Sequence, residues 1–122
     1  MAAPPPRTVA ELLAAARAAG VERLDAQLLL AHHLGQPRAW VVAHDEAELP
    51  QAIVEALLRD LQRRADAVPL AYLLGRHEFH GLMLEVTPAV LDPRPDTETL
   101  VAAALELLPP DRNATVIDLG TG

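Results

Sequence analysis

The chain has 122 residues, enough for one compact domain or for a small domain with part of another. Hydrophobic residues make up 51% and charged residues 22%, the balance of a globular chain rather than a disordered one. A formal charge of -7, one each of Trp, Tyr and Phe, and no cysteine argue against a nucleic-acid partner, and exclude disulfides and thiolate metal sites.

All ten basic residues are Arg. Before Pro69 there are 7 Arg against 9 acids, and from Pro69 onward 3 against 8, so the second part holds most of the negative charge. Such a field tolerates a cationic ligand. The opening MAAPPPR lacks the apolar stretch of a secretory signal, and no apolar run approaches the roughly 20 residues that span a bilayer. The expected compartment is the cytoplasm, with no membrane partner.

Residues 1–7 read as a disordered leader, since three consecutive prolines cannot join a helix ladder. Thr8 is a good N-cap for a helix that places Val9, Leu12, Leu13 and Ala16 on one face and stops at Gly20. A second helix runs from about Glu22 to Leu34. Leu24, Leu28, Leu29, Leu30, Ala31 and Leu34 cover most of its circumference, which predicts a buried central helix ended by Gly35 and Pro37. Residues 38–44 form a short helical piece carrying Trp40 to the bundle, and 45–48 an acidic surface loop. Pro50 opens a longer helix with Ile53, Leu57, Leu58, Leu61 and Ala65 inward. On its outer side Glu55 and Arg59, and Asp60 and Arg64, stand four residues apart as candidate ion pairs.

The pattern changes at Pro69. Residues 76–79 and 82–86 are strand-like runs about His80-Gly81, which predicts a hairpin. Pro93 and Pro95 then hold the chain extended, and Asp96, Thr97 and Glu98 supply an acidic first turn for a helix continuing through Leu100, Ala103, Ala104, Leu107 and Leu108. Residues 115–119 read as a buried strand running into Gly120-Thr121-Gly122.

The chemistry-bearing string is Asp118-Leu119-Gly120-Thr121-Gly122. Glycines after a parallel strand let the backbone turn tightly and approach a ligand, and an acid two positions before the first can fix the loop. Alone, the string is equally compatible with an ordinary strand-to-loop turn. The histidines suggest no metal: His32 and His33 diverge by about 100° on a helix, and His77 and His80 would face opposite sides of a strand. Arg59, Arg63 and Arg64 are interleaved with acids and read as a solvated helix face rather than an RNA contact.

Four segments carry a family resemblance: LDAQLLLAHHLG (24–35), PLAYLLGRHEFHGLMLEV (69–86), VLDPRPDTETLV (90–101) and VIDLGTG (116–122). In this order they closely resemble the release-factor glutamine methyltransferase family, also called HemK/PrmC-type N5-glutamine methyltransferases. The resemblance covers nearly the whole chain from about residue 8. It implies a helical recognition domain, a β-hairpin linker, and a Rossmann-like domain that transfers a methyl group from S-adenosyl-L-methionine. The acceptor would be the Gly-Gly-Gln glutamine of class I peptide chain release factors.

By that resemblance Gly120, Thr121 and Gly122 would line the methionine part of the donor, Asp118 would shape the loop, and Arg94 and Thr97 would be the contacts from the 93–98 segment. Two positions depart from the family pattern: Asp92, where an apolar residue is usual, and His80, where an aromatic ring is common. The family's catalytic Asn-Pro-Pro-Tyr motif does not occur in these residues, so no catalytic residue is assigned and the 122-residue piece is expected to be inactive.

The expected fold is thus mainly α: leader 1–7, helical bundle 8–68, hairpin linker 69–92, and the truncated start (helix plus first strand) of a Rossmann-like α/β domain at 93–122. Three other readings compete. One is a methyltransferase acting on another translation protein. Another is the front of a dinucleotide-binding oxidoreductase, which requires a third glycine and a later acid. The last is a free-standing helical protein-binding module.

Overall fold

The computed structural model describes residues 4–120. Its helices are α1 (Val9–Ala18), α2 (Arg23–Leu34), α3 (Arg38–Ala43), α4 (Gln51–Ala65), α5 (Leu70–Leu74) and α6 (Pro95–Leu107); its strands are β1 (Arg76–Phe79) and β2 (Leu82–Glu85).

Helix α1 begins at a reciprocal capping box. The Glu11 N–H donates to Thr8 Oγ1 at 3.3 Å, while Glu11 Oε2 accepts from the Arg7 and Thr8 N–H groups at 2.6 and 3.2 Å. These N–H donors hold the Glu11 carboxyl below its usual pKa. Two more N–H groups of the first turn, from Val9 and Ala10, donate to the carbonyls of Ala47 and Asp45 at 3.1 and 3.0 Å. The acidic loop after α3 therefore caps α1 with its backbone, satisfying donors that a helix start leaves free.

Helix α2 is central and packs on α1, α3, α4 and α5. Val9, Leu12, Leu29, Leu30, Val41 and Leu57 are its fully buried core, with Val54 and Leu61 beside them. The buried arc of α2 differs from the expected one. Leu24 is 51% exposed, whereas Ala26 and Gln27 are buried, because the buried arc turns toward α3, whose Arg38 meets Gln27. Gln27 is accommodated there because Arg38 Nη1 donates to its Oε1 at 3.1 Å. Trp40 packs on the edge of the same core and stacks on the His44 ring at 4.2 Å.

On α4 the inward face is set by Val54, Leu57 and Leu61, while Ala65 is exposed at its end. The expected outer ion pairs do not form. Glu55 accepts from Gln51 Nε2, and Asp60 is buried facing α2 rather than solvent. Asp60 meets His33 Nε2 at 2.6 Å and Arg63 at 3.6 Å; Arg64 instead bridges to Asp25 of α2 at 2.9 Å. For Asp60 and Arg64 the i,i+4 spacing is correct, but α2 offers closer, less solvated partners.

Helix α5 has no counterpart in the sequence reading, which placed its residues in a linker. A single turn after Pro69 is too short to show a 3.6-residue period. Leu70, Leu73 and Leu74 nevertheless pack against the core. The hairpin follows directly, with Arg76 opposite Glu85 and Phe79 opposite Leu82. Its two-residue turn has φ of 47° at His80 and 79° at Gly81, the left-handed pair of a type I′ turn, as the spacing predicts. The Val86 N–H donates to the Gly75 carbonyl at 3.0 Å and the Val86 side chain is 2% exposed, which closes the base of the hairpin.

Helix α6 starts with Arg94 as N-cap and Pro95 at its first position. None of its residues is buried; Leu100 is 69% and Leu107 85% exposed. The strand expected at 115–119 does not form. These residues are irregular and exposed, because a strand with no neighbouring strand has nothing to receive its N–H and C=O groups.

Candidate functional site

The proposed contact residues fall in two places. Arg94 and Thr97 lie at the N-terminal end of α6, both exposed, with the Thr97 N–H donating to the Arg94 carbonyl at 3.0 Å. Asp118 and Gly120 lie in the irregular tail, also exposed, with Gly120 at φ +75°. Nothing lies within 4 Å of a Cβ built on Gly120, so the turn is open on that side. Thr121 and Gly122 lie outside the described residues. Among the described residues, no hydrogen bond or ion pair joins the tail to the start of α6.

The 87–94 segment and the first turn of α6 are held from the other side. Tyr72 Oη of α5 donates to the Val90 carbonyl at 2.7 Å, and the His80 N–H at the hairpin tip donates to Glu98 Oε1 at 2.7 Å. Between them His77 Nδ1 of β1 meets Asp92 Oδ1. Where the carboxylate oxygen accepts, Nδ1 carries the hydrogen of this contact. The sequence reading singled out His77 only as a rejected metal ligand and Asp92 only as a departure from a pattern. Fifteen positions separate them, and no periodicity links a strand residue to a loop residue.

Behind this contact is a cleft of about 670 Å³ between the bundle and the hairpin, lined by His32, Arg38, Leu74, Arg76, His77 and Asp92 among others. The His32 pKa is pushed below its usual value, chiefly by burial, then by the neighbouring His33 and by Arg76. Its ring lies edge-on to His33 at 5.6 Å. Among the described residues no three His, Asp or Glu side chains converge as a metal site would require. No described helix is long and apolar enough to cross a membrane.

The PrmC N-terminal domain family model matches residues 7–75, which run from the α1 cap to the glycine that ends α5. The chain belongs to the PrmC N-terminal domain family. Curated relatives extend the likeness beyond that domain. The release factor glutamine methyltransferase of Burkholderia pseudomallei (strain K96243) is 44% identical over 119 residues, covering 98% of this chain and 41% of the relative. That of Bordetella pertussis (strain Tohama I) is 47% identical over 103 residues, 84% of this chain and 38% of the relative. That of Escherichia coli (strain K12) is 42% identical over 112 residues, 92% of this chain and 40% of the relative. The chain therefore spans about 40% of the length of the methyltransferases it matches.

Proposed function

We propose that this chain is the recognition and donor-entry portion of a protein-(glutamine-N5) methyltransferase that uses S-adenosyl-L-methionine to methylate the Gly-Gly-Gln glutamine of class I peptide chain release factors. One observation carries the reading. Likeness to release factor glutamine methyltransferases runs through 98% of the chain, past the helical domain and into the 93–120 region.

In this reading the bundle of 8–68 holds the release factor, the 69–92 segment links it to the donor side, and 93–122 opens the donor-binding domain. The residues suit the donor in kind. Asp118 offers a negative charge to a sulfonium ligand, and Gly120 has the left-handed backbone with open space that close approach of a ligand needs. Arg94 and Thr97 present polar groups at a proline-stiffened helix start. Thr121 and Gly122 follow Gly120 in the same sequence motif.

The donor supplies an electrophilic methyl group. An amide nitrogen is a weak nucleophile because its lone pair is delocalised, so the enzyme must fix it in line and accept its hydrogens on held oxygens. The Asn-Pro-Pro-Tyr motif that serves this in the family is not among these residues, so the 122-residue chain by itself is expected to transfer no methyl group.

The test compares the 122-residue chain with the longer protein that contains it, using radiolabelled S-adenosyl-L-methionine and a release factor. Transfer is expected only from the longer protein. In that protein, Arg94→Ala and Thr97→Ala should each raise the KM for the donor about tenfold, or about 1.4 kcal/mol. Turnover by the short chain, or no transfer by the long one, contradicts the reading.

A further inference from the structure

Eight residues, 87–94, connect the buried anchor Val86 to the start of α6 with little regular structure of their own. Their backbone makes one turn bond, Val90 N–H to the Thr87 carbonyl. Two ties hold the segment itself, Tyr72 Oη to the Val90 carbonyl and His77 to Asp92, while the His80 N–H bond to Glu98 Oε1 holds the first turn of α6 that follows. Of these, His77–Asp92 is the one made between two side chains, so it can be cut without touching backbone or removing a large ring. Both side chains are partly shielded, at 33% and 25% exposure, which protects the contact from full solvent screening.

Asp92 is two residues before Arg94, and Pro93 between them restricts the backbone, so a shift of Asp92 carries Arg94 with it. β1 begins where α5 ends at Gly75, and α5 packs on α2 and α4. A continuous path of packed elements thus runs from the bundle through His77 to the segment bearing Arg94 and Thr97.

We propose that His77 and Asp92 are a positioning pair: their hydrogen bond latches the proline-braced segment to β1 and sets the place of Arg94 and Thr97 relative to the bundle. Neither residue touches the donor. The proposal rests on the reading that Arg94 and Thr97 contact the donor, and extends it to two residues at positions that reading leaves unused.

Two measurements test it. The first follows amide hydrogen exchange at Val90 and Thr97, whose N–H groups donate to the Thr87 and Arg94 carbonyls, in the 122-residue chain, with circular dichroism confirming the bundle in each variant. His77→Ala and Asp92→Ala should each speed exchange about fivefold, and the double variant no more than either single one. His77→Asn, which keeps an N–H donor near the position of Nδ1, should stay within about twofold of the parent. Unchanged exchange in the single variants, or effects that add in the double, overturns the latch. The second uses the longer protein. The same alanine variants should raise the donor KM about fivefold with kcat within about twofold, and His77→Asn should restore it. An unchanged KM alongside coupled exchange overturns the positioning role, while the parent function stands. An unchanged KM in Arg94→Ala instead removes the donor-contact assignment, and this proposal with it.

Discussion

Asp60 shows how a single side chain can tie helices together. It is 9% exposed on α4 and receives His33 from α2 and Arg63 from its own helix. Removing it leaves the His33 ring nitrogen without its partner in a half-buried place, whereas an amide keeps an acceptor there. Asp60→Ala should therefore cost about 1–3 kcal/mol in urea denaturation, and Asp60→Asn clearly less. Next to His33, His32 gives a pH signature. Its folded pKa lies below the ordinary 6.5, so the unfolded chain takes up the proton first as pH falls. The stability tied to its neutral form is complete above 6.5 and is lost on descending through the folded value. Measured by denaturation from neutral to mildly acid pH, the stability of the parent minus that of His32→Gln should fall between 6.5 and the folded value and level off below it. A difference that grows would contradict the sign.

Among elements, the division is between helices that bury a face and one that does not. Leu29→Ala in the fully buried part of α2 should cost about 3 kcal/mol, while Leu107→Ala, 85% exposed on α6, should change stability by less than about 0.5 kcal/mol. Thermal or urea unfolding of the two variants checks both values. The helices were legible where caps and apolar spacing agreed: Thr8 before α1 and Gly35 after α2 stand where the sequence puts them, whereas Pro50 is the N-cap of α4 rather than part of its first turn, and α6 already begins at Pro95, which the sequence reading left in the extended segment. The His80-Gly81 turn was equally legible, because two left-handed residues between short strands leave little choice. Helix α5 escaped because one turn has no period to read. The Asp60 and Arg64 partners escaped because spacing along one helix does not reveal what a neighbouring helix presents. The 115–119 strand was over-read, since apolar composition suits a strand but pairing has to come from another strand.

At the scale of the whole molecule, the apolar surface is unevenly distributed. The first half buries its leucines around α2, while Leu100, Leu107, Val116, Ile117 and Leu119 stay more than half exposed. The residues assigned to the donor lie in that second half, where the chain is also most acidic. The residues proposed to contact the donor are read as a motif by resemblance alone, and among the described residues no strand forms at 115–119 to bring them together. Peptide mass spectrometry measures methyl transfer by a longer protein that contains this chain. A class I release factor incubated with that protein and S-adenosyl-L-methionine should gain the mass of one methyl group on the peptide containing Gly-Gly-Gln, with fragment ions placing it on the glutamine side chain. A release factor left unmodified at that glutamine, or a methyl group placed on a different residue, would contradict it.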